Sequence, residues 1–322
     1  MPRLTDSASR STIRVGTRGS ALALWQTDYV CSILGAGGFP TERIEIRTTG
    51  DVVQDVPLSR IGTVAIFTRE LDTAMLEGRI DAAVHSLKDL PTTLPDGIAV
   101  AAVSPRADPR DALVSRTGAG WRDLPPGAAV ATSSLRRRAQ LLAARPDLVP
   151  VEIRGNVDTR LRKLEQNAEW SGLILAGAGL DRLGLGERIT ERLPATLMLP
   201  APGQGAIAVT VRADDDATAS AVRGALHDHS VSLATSAERG FLQRLEGGCL
   251  APIAALAQLD DDGVLRLHGR ILSLDGSAVT EGTRTSAIGD DAAAAELGAE
   301  LAEELLSRGG AEILTVVRSA QP

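Results

Sequence analysis

Arginine dominates the candidate chemistry of this chain. Thr132-Ser133-Ser134-Leu135-Arg136-Arg137-Arg138 is followed by Arg154-Gly155-Asn156 and then by Arg160-Leu161-Arg162. A guanidinium is a rigid fork that grips a carboxylate or phosphate through two parallel hydrogen bonds. In a chain of formal net charge -7, such clustering gains little unless a polyanionic ligand meets it. Thr132-Ser133-Ser134 also reads as the mouth of a helix, where hydroxyls cap and free N–H groups favour an anion. Arg136 and Arg137 in that first turn oppose the helix dipole, a placement that a bound anion would offset. Arg18-Gly19-Ser20 and Arg154-Gly155-Asn156 repeat the idea at two other strand-to-helix junctions, so three strand ends are expected to aim arginines toward one cleft between two α/β units; a solvated charged face is the bland alternative.

Two further segments carry chemistry. In Val84-His85-Ser86-Leu87-Lys88-Asp89-Leu90-Pro91 an apolar strand runs into polar residues, which is where open α/β sheets present ligand groups. Lys88 would pair with a carboxylate, while Asp89 would accept N–H donors or stabilise a cation; a plain Lys-Asp surface pair fits the same residues. His85 reads as a structural histidine. Cys249 follows Gly247-Gly248, which leave its sulfur uncrowded, as an attachment site or nucleophile needs. A free, half-buried thiol on a loop is the other reading, and Cys249 alone decides nothing. Cys31 falls among apolar residues of a helix and reads as core.

The elements that must position these groups alternate. Strands are expected at 12–15, 43–48, 81–84 and 97–103, with helices at 21–34 and 67–78. A second α/β unit follows, with strands at 111–115, 128–131, 151–154 and 172–176 and helices at 134–144 and 157–166. This alternation predicts largely parallel sheets. Leu199-Pro200-Ala201-Pro202-Gly203 marks a crossing point, 206–211 resumes an extended pattern, and Asp214 to Asp216 suggests a surface turn. The last third groups a helix at 230–245 with strands at 251–259, 265–272 and 278–283, a helix at 291–307 and a final strand at 312–317. That grouping predicts a small α+β domain.

Composition narrows the classes. At 322 residues the chain has room for two or three domains. Aromatics make up only 2%, so the core must be built from Ala, Val, Leu and Ile. Lys88 and Lys163 are the only lysines. The acidic balance and missing aromatic platforms argue against nucleic acid. Met1 to Ser11 is polar rather than the apolar run of an export signal, and no stretch reaches the length of a membrane span. Two distant cysteines suggest no disulfide framework, and no ligand cluster supports a metal. The expected location is the cytoplasm.

Together these segments resemble the porphobilinogen deaminase (hydroxymethylbilane synthase) family from about Ile13 to the C-terminus. The motifs are Thr17-Arg18-Gly19-Ser20-Ala21-Leu22-Ala23-Leu24-Trp25-Gln26, His85 to Pro91, Thr132 to Arg137, Arg154-Gly155-Asn156-Val157, Pro202-Gly203-Gln204-Gly205-Ala206 and Glu246-Gly247-Gly248-Cys249, in the family's order. The resemblance implies two α/β lobes like those of periplasmic binding proteins (residues 12–104 with 206–224, and 110–199) and a C-terminal α+β domain (229–320). It implies a monomer and a transferase of porphyrin biosynthesis. Four porphobilinogen molecules would be joined head to tail, losing ammonia, on a dipyrromethane primer held by a thioether to Cys249. Water would then release the linear tetrapyrrole. It assigns cofactor contacts to Lys88, Asp89, Thr132, Ser134, Arg136, Arg137, Arg154 and Gly155. Substrate contacts go to Arg18, Ser20, Arg154, Arg160, Arg182, Gln204 and Phe67, the last also readable as core, and the catalytic carboxylate to Asp89. One departure stands out: where members of the family often carry Gly-Gly-Lys-Gly in a mobile lid, this chain has Gly62-Thr63-Val64-Ala65. A non-catalytic anion-binding protein on the same scaffold is the competing reading.

Overall fold

Short apolar runs punctuated by caps and glycines make this chain alternate between strand and helix. The structure, a computed structural model, describes residues 12–48, 68–245 and 251–320. β1 (Ile13–Thr17) passes through Ser20, whose hydroxyl accepts from the Ala23 amide, into α1 (Ala21–Ala36). β2 (Thr41–Glu45), α2 (Arg69–Leu76), β3 (Ala82–Ser86) and β4 (Ile98–Val103) follow. The chain then builds β5 (Asp111–Ser115), β6 (Ala129–Ala131), α3 (Leu135–Ala144), β7 (Val149–Val151), α4 (Val157–Gln166), β8 (Trp170–Ala176), α5 (Gly177–Arg182) and β9 (Glu191–Arg192). It returns with β10 (Ile207–Arg212) and α6 (Asp216–Leu226). The last part holds α7 (His229–Arg244), β11 (Ile253–Leu259), β12 (Val264–Leu272), β13 (Val279–Ala287), α8 (Asp291–Leu305) and α9 (Ala311–Ser319).

The two five-stranded sheets share one plan. Their orders are β2-β1-β3-β10-β4 and β7-β6-β8-β5-β9. In each, three strands run parallel and the fourth runs antiparallel, supplied by chain arriving from the other sheet. The fifth strand again runs with the first three, so the sheets are largely parallel as expected, with one strand in each entering backwards where the chain crosses between lobes. The crossing segments bond to each other: the Ser104 amide donates to the Ile207 carbonyl (2.9 Å) and the Ala107 amide to the Gly205 carbonyl (3.1 Å). Gly205 has φ +94°, and a Cβ there would lie 2.5 Å from the Ala107 carbonyl oxygen, so this contact requires glycine.

Scarce aromatics leave the cores to aliphatic side chains. Ile13, Val15, Val30, Leu34, Val84 and Val209 fill one face of the first sheet, and Leu113, Val130, Leu141 and Ile174 serve the second. The third sheet, β11-β12-β13, packs on α7 and α8 around Phe241. Glu238 of α7, with no solvent exposure, ties this unit to the crossing segments. Its carboxylate accepts from both Arg106 Nη atoms (2.6 and 3.0 Å), the Gly203 amide (2.7 Å) and the Ala257 amide (2.8 Å).

Local readings failed where tertiary contacts overrode them. The final strand expected at 312–317 is helix α9. Its β-branched run suggests a strand, but Ile313, Leu314 and Val317 are buried while Val316 is 64% exposed, a helical rather than alternating pattern. The strand expected at 151–154 ends at Val151, freeing Ile153 and Arg154 for the following loop. Helix α6 begins inside the acidic turn, with Asp215 accepting from the Thr218 amide (3.0 Å) as its cap. Gly35 does not close α1, which runs on to Ala36.

Candidate active site

The C-terminal ends of β1, β3, β6 and β7 carry the candidate residues, as expected for parallel strands feeding helices. In the second lobe Ser134 caps α3, accepting from the Arg137 amide (3.4 Å), and Thr132 Oγ1 accepts from the Ser134 amide (3.2 Å). The cap role is therefore present whatever else these hydroxyls do. Arg136 and Arg137 are 5% and 6% exposed and converge on Asp111, which opens β5. Arg136 Nη1 reaches Asp111 Oδ2 (2.7 Å) and the Leu199 carbonyl (2.6 Å). Arg137 Nε and Nη2 reach Asp111 Oδ1 (3.0 and 2.8 Å), and its Nη1 reaches the Ile174 carbonyl (3.2 Å).

The anion that offsets these two arginines at the helix start is thus, in part, the chain's own carboxylate. Burial alone would raise the Asp111 carboxyl, but the Arg136 and Arg137 charges hold it far below the usual carboxylate range. The sequence does contain a signal for this: an acid opening the apolar run Asp111-Ala112-Leu113-Val114 is a buried charge that needs partners.

In the first lobe, Lys88 and Asp89 occupy a single 3-10 turn, Leu87–Asp89, directly after β3. Gln204, from the returning crossing segment, joins them to the second lobe. Its Oε1 accepts from Lys88 Nζ (3.3 Å) while its Nε2 donates to Asp111 Oδ1 (2.9 Å) and the Pro109 carbonyl (2.7 Å). Asp89, half-buried, shares a cavity of about 60 Å³ with Arg18, Ser20, Gln26 and Ser86. His85 sits behind it, bonded to Thr210 Oγ1 (3.1 Å). Burial and the Arg18 charge bring its pKa down to about 4, so it is neutral and structural.

Arg154 and Arg160 complete the cluster from the β7–α4 junction. Asn156 caps α4, accepting from the Thr159 amide (3.0 Å), and Gly155 holds φ +115°, where a Cβ would lie 2.6 Å from the Thr159 methyl. Arg160 Nε donates to the Gly155 carbonyl (2.7 Å). Burial, then the charges of Arg137 and Arg154, bring its pKa down to about 10 against the opposing pull of Asp89. Lys88 is brought to about 8, chiefly by burial, with Arg137 and Arg136 adding repulsion and Asp89 and Asp111 opposing it. Five cations (Lys88, Arg136, Arg137, Arg154 and Arg160) thus act on one another around two carboxylates, Asp89 and Asp111. The buried Nε of Arg154 has no partner among the described residues.

The Lys88 shift has a testable sign. A lysine whose pKa is depressed by folding binds fewer protons in the native than in the unfolded state, so stability rises with pH across that interval. The expected result is a gain in denaturation midpoint between about pH 8 and the ordinary lysine value of 10.5, absent in Lys88→Met. An identical gain in the variant would remove Lys88 from this balance.

Not every candidate joins the cluster. Arg182 of α5 lies 5.8 Å over the Trp25 ring and donates to the Gly205 carbonyl (2.7 Å), spanning the lobes. Trp25 in turn stacks on Tyr29 at 5.6 Å. Phe67, the lid residues Gly62 to Ala65, and Cys249 lie outside the described residues. The flanks of Cys249 are informative: α7, which leads into that segment, is tied to the loop after Asp89. Arg239 Nη2 donates to the Pro91 carbonyl (2.6 Å), and Gln243 Nε2 meets Thr93 Oγ1 (3.4 Å).

The chain is similar to known proteins along nearly its whole length. Residues 13–220 match the family described as porphobilinogen deaminase, dipyromethane cofactor binding domain, and residues 232–307 match porphobilinogen deaminase, C-terminal domain. A porphobilinogen deaminase of Rubrobacter xylanophilus is 51% identical over 308 residues, 96% of this chain and 98% of its own. One of Syntrophomonas wolfei is 49% identical over 309 residues, 95% of this chain and 99% of its own. Among solved structures, a nutrient binding protein from Burkholderia cenocepacia bound to methionine is 15% identical, covering 66% of this chain and 90% of its own at a TM-score of 0.41. With family matches across both halves and relatives at this identity over nearly its full length, the chain belongs to the porphobilinogen deaminase family.

Proposed function

We propose that this protein joins four porphobilinogen molecules head to tail, with loss of ammonia, on a dipyrromethane primer carried by Cys249, and then hydrolyses off hydroxymethylbilane. The observation that carries this reading is the gathering of cations from both lobes around Asp89. Five cations against two carboxylates, with a buried Arg154 Nε lacking a described partner, form a site short of negative charge. A primer and chain of pyrroles bearing acetate and propionate groups fit that deficit.

The dipyrromethane, when bound, supplies the nucleophilic pyrrole end to which each substrate is added. Arg18, Ser20, Arg154, Arg160 and Lys88 bind and orient carboxylates of substrate and primer. Arg136 and Arg137 offer the donors that Asp111 leaves uncommitted, and Thr132, Ser134 and Gly155 line the same junctions. Gln204 holds Lys88 in register with the second lobe. Asp89 stabilises positive charge that develops as ammonia leaves the substrate, and it aligns pyrrole N–H groups for attack. Arg182 and Phe67 belong to the substrate-binding set in this reading, Arg182 after leaving Trp25. Residues 12–104 with 206–224, 110–199 and 229–320 act as three domains, one for each sheet. The protein works as a cytoplasmic monomer on a small-molecule substrate, and its net negative charge disfavours nucleic acid. Among the described residues no helix is long and apolar enough to cross a membrane.

Intact mass tests the tether. Purified protein should exceed its sequence mass by two condensed pyrrole units, and Cys249→Ser should show the bare polypeptide mass. A correctly folded wild type of bare mass would argue against this reading and for a non-catalytic anion-binding protein on the same scaffold.

A further inference from the structure

A second cavity, of about 130 Å³, lies behind the Asp89 loop, between β4 and α6 on one side and α7 and α8 on the other. Its wall brings together Arg223, His227, Arg239, Ser236 and Asp291. None of these belongs to the candidate active site. Leu87, the first residue of the turn that carries Asp89, forms part of the same wall.

Three features of the wall point to a missing anion. Arg239 is largely buried and donates only to main-chain oxygens, those of Leu90, Pro91 and Thr92 (3.2, 2.6 and 3.4 Å); it pairs with no described carboxylate. Burial alone pulls its pKa down, with no neighbouring acid to raise it. Arg223, at the exposed rim, likewise forms no ion pair with a described residue; burial first, and then its charge, disfavour protonation of His227, while Asp291 and Asp228 oppose them. The His227 ring is held by the Val103 amide, which donates to Nδ1 (3.4 Å), so the neutral ring carries its proton on Nε2. That Nε2 is buried without a partner among the described residues. The wall also holds one carboxylate, Asp291, which accepts from Ser232 Oγ (2.9 Å) and Ser236 Oγ (3.2 Å); its single charge offsets only one of the two guanidinium groups and supplies no acceptor to the His227 Nε2.

A buried polar group left unbonded costs about 1–3 kcal/mol, so sites of this kind are normally filled. Water could bond the His227 N–H but would leave the wall with one guanidinium charge more than Asp291 offsets. We propose that this cavity is a binding site for a compact oxyanion, of the size of phosphate or a small carboxylate, held between Arg223 and Arg239 with the His227 Nε2–H as third donor. The volume is enough for such an ion with bound water.

The test uses the full-length, primer-carrying enzyme and the imidazole resonances of its four histidines, with His227 assigned from His227→Gln. Phosphate and acetate are titrated at fixed pH against chloride of matched ionic strength. The expected result is a saturable shift of the His227 signal with one of the two oxyanions and none with chloride. Arg223→Gln, a change at an exposed rim position, should weaken that binding by about tenfold, the loss of one charge-assisted contact. Comparing the two oxyanions shows whether the site prefers a tetrahedral or a planar group. A His227 signal that ignores both overturns the proposal. So does a shift that persists unchanged in Arg223→Gln but vanishes in Arg154→Leu, since the anion would then be sensed from the active-site cleft.

Discussion

An Asp89→Asn enzyme is expected to fold, to acquire primer and to lose turnover by about a hundredfold to a thousandfold, the usual effect of deleting one preorganised electrostatic group. Asparagine keeps the shape and one acceptor of the side chain but removes the charge that opposes a developing cation. The site makes this loss severe, because Asp89 sits among Arg18, Lys88 and Arg160, all of which disfavour positive charge on substrate. Single-turnover release of ammonia separates chemistry from binding, and the intact mass confirms the primer. Retained turnover in a primer-loaded variant would remove Asp89 from the mechanism. A loss seen only as a raised KM would make it a binding residue.

Asp111→Asn should be the most destabilising single change among the site residues. The carboxylate has no solvent exposure and accepts from Arg136, Arg137 and Gln204. Removing its charge strands two buried guanidinium groups, and breaking a buried pair in this way costs about 3–5 kcal/mol. Urea unfolding of the primer-free protein should show that loss. The primer-carrying form should show less of it, because ligand carboxylates replace part of the missing charge. Equal destabilisation of the two forms would mean that Arg136 and Arg137 serve the fold alone. The pH dependence follows the depressed carboxyl: its contribution is present above the ordinary aspartate range and is lost only as pH falls toward the folded value. The wild type should therefore lose this stabilisation only in strong acid, and the variant should lack that component.

Arg136 and Arg137 show how sequence and structure divide the evidence. Their position in the first turn of a helix is legible in Thr132-Ser133-Ser134-Leu135-Arg136-Arg137, as is the conflict with the helix dipole. In the structure a carboxylate does meet these arginines, and it is Asp111, some 25 residues earlier. Nothing local links them; the antiparallel entry of β5 does. The same holds for Gln204, which motif order assigns to the site but which only the second crossing of the chain sets between Lys88 and Asp111. Arg182, which the family resemblance assigns to substrate, lies over Trp25 across the lobe boundary.

By itself the sequence determined which groups are available and where strands hand over to helices, because caps, glycines and apolar runs act over a few residues. It therefore fixed the arginines, Lys88 and Asp89 at strand ends, and the family to which the chain belongs. Only the tertiary structure decided which charges neutralise one another, that each sheet takes one strand backwards, and that Ile313, Leu314 and Val317 pack as a helix. Burial and Coulomb interactions depend on distance through space, and chain separations of 25, 93 and 116 residues are closed only by the completed fold.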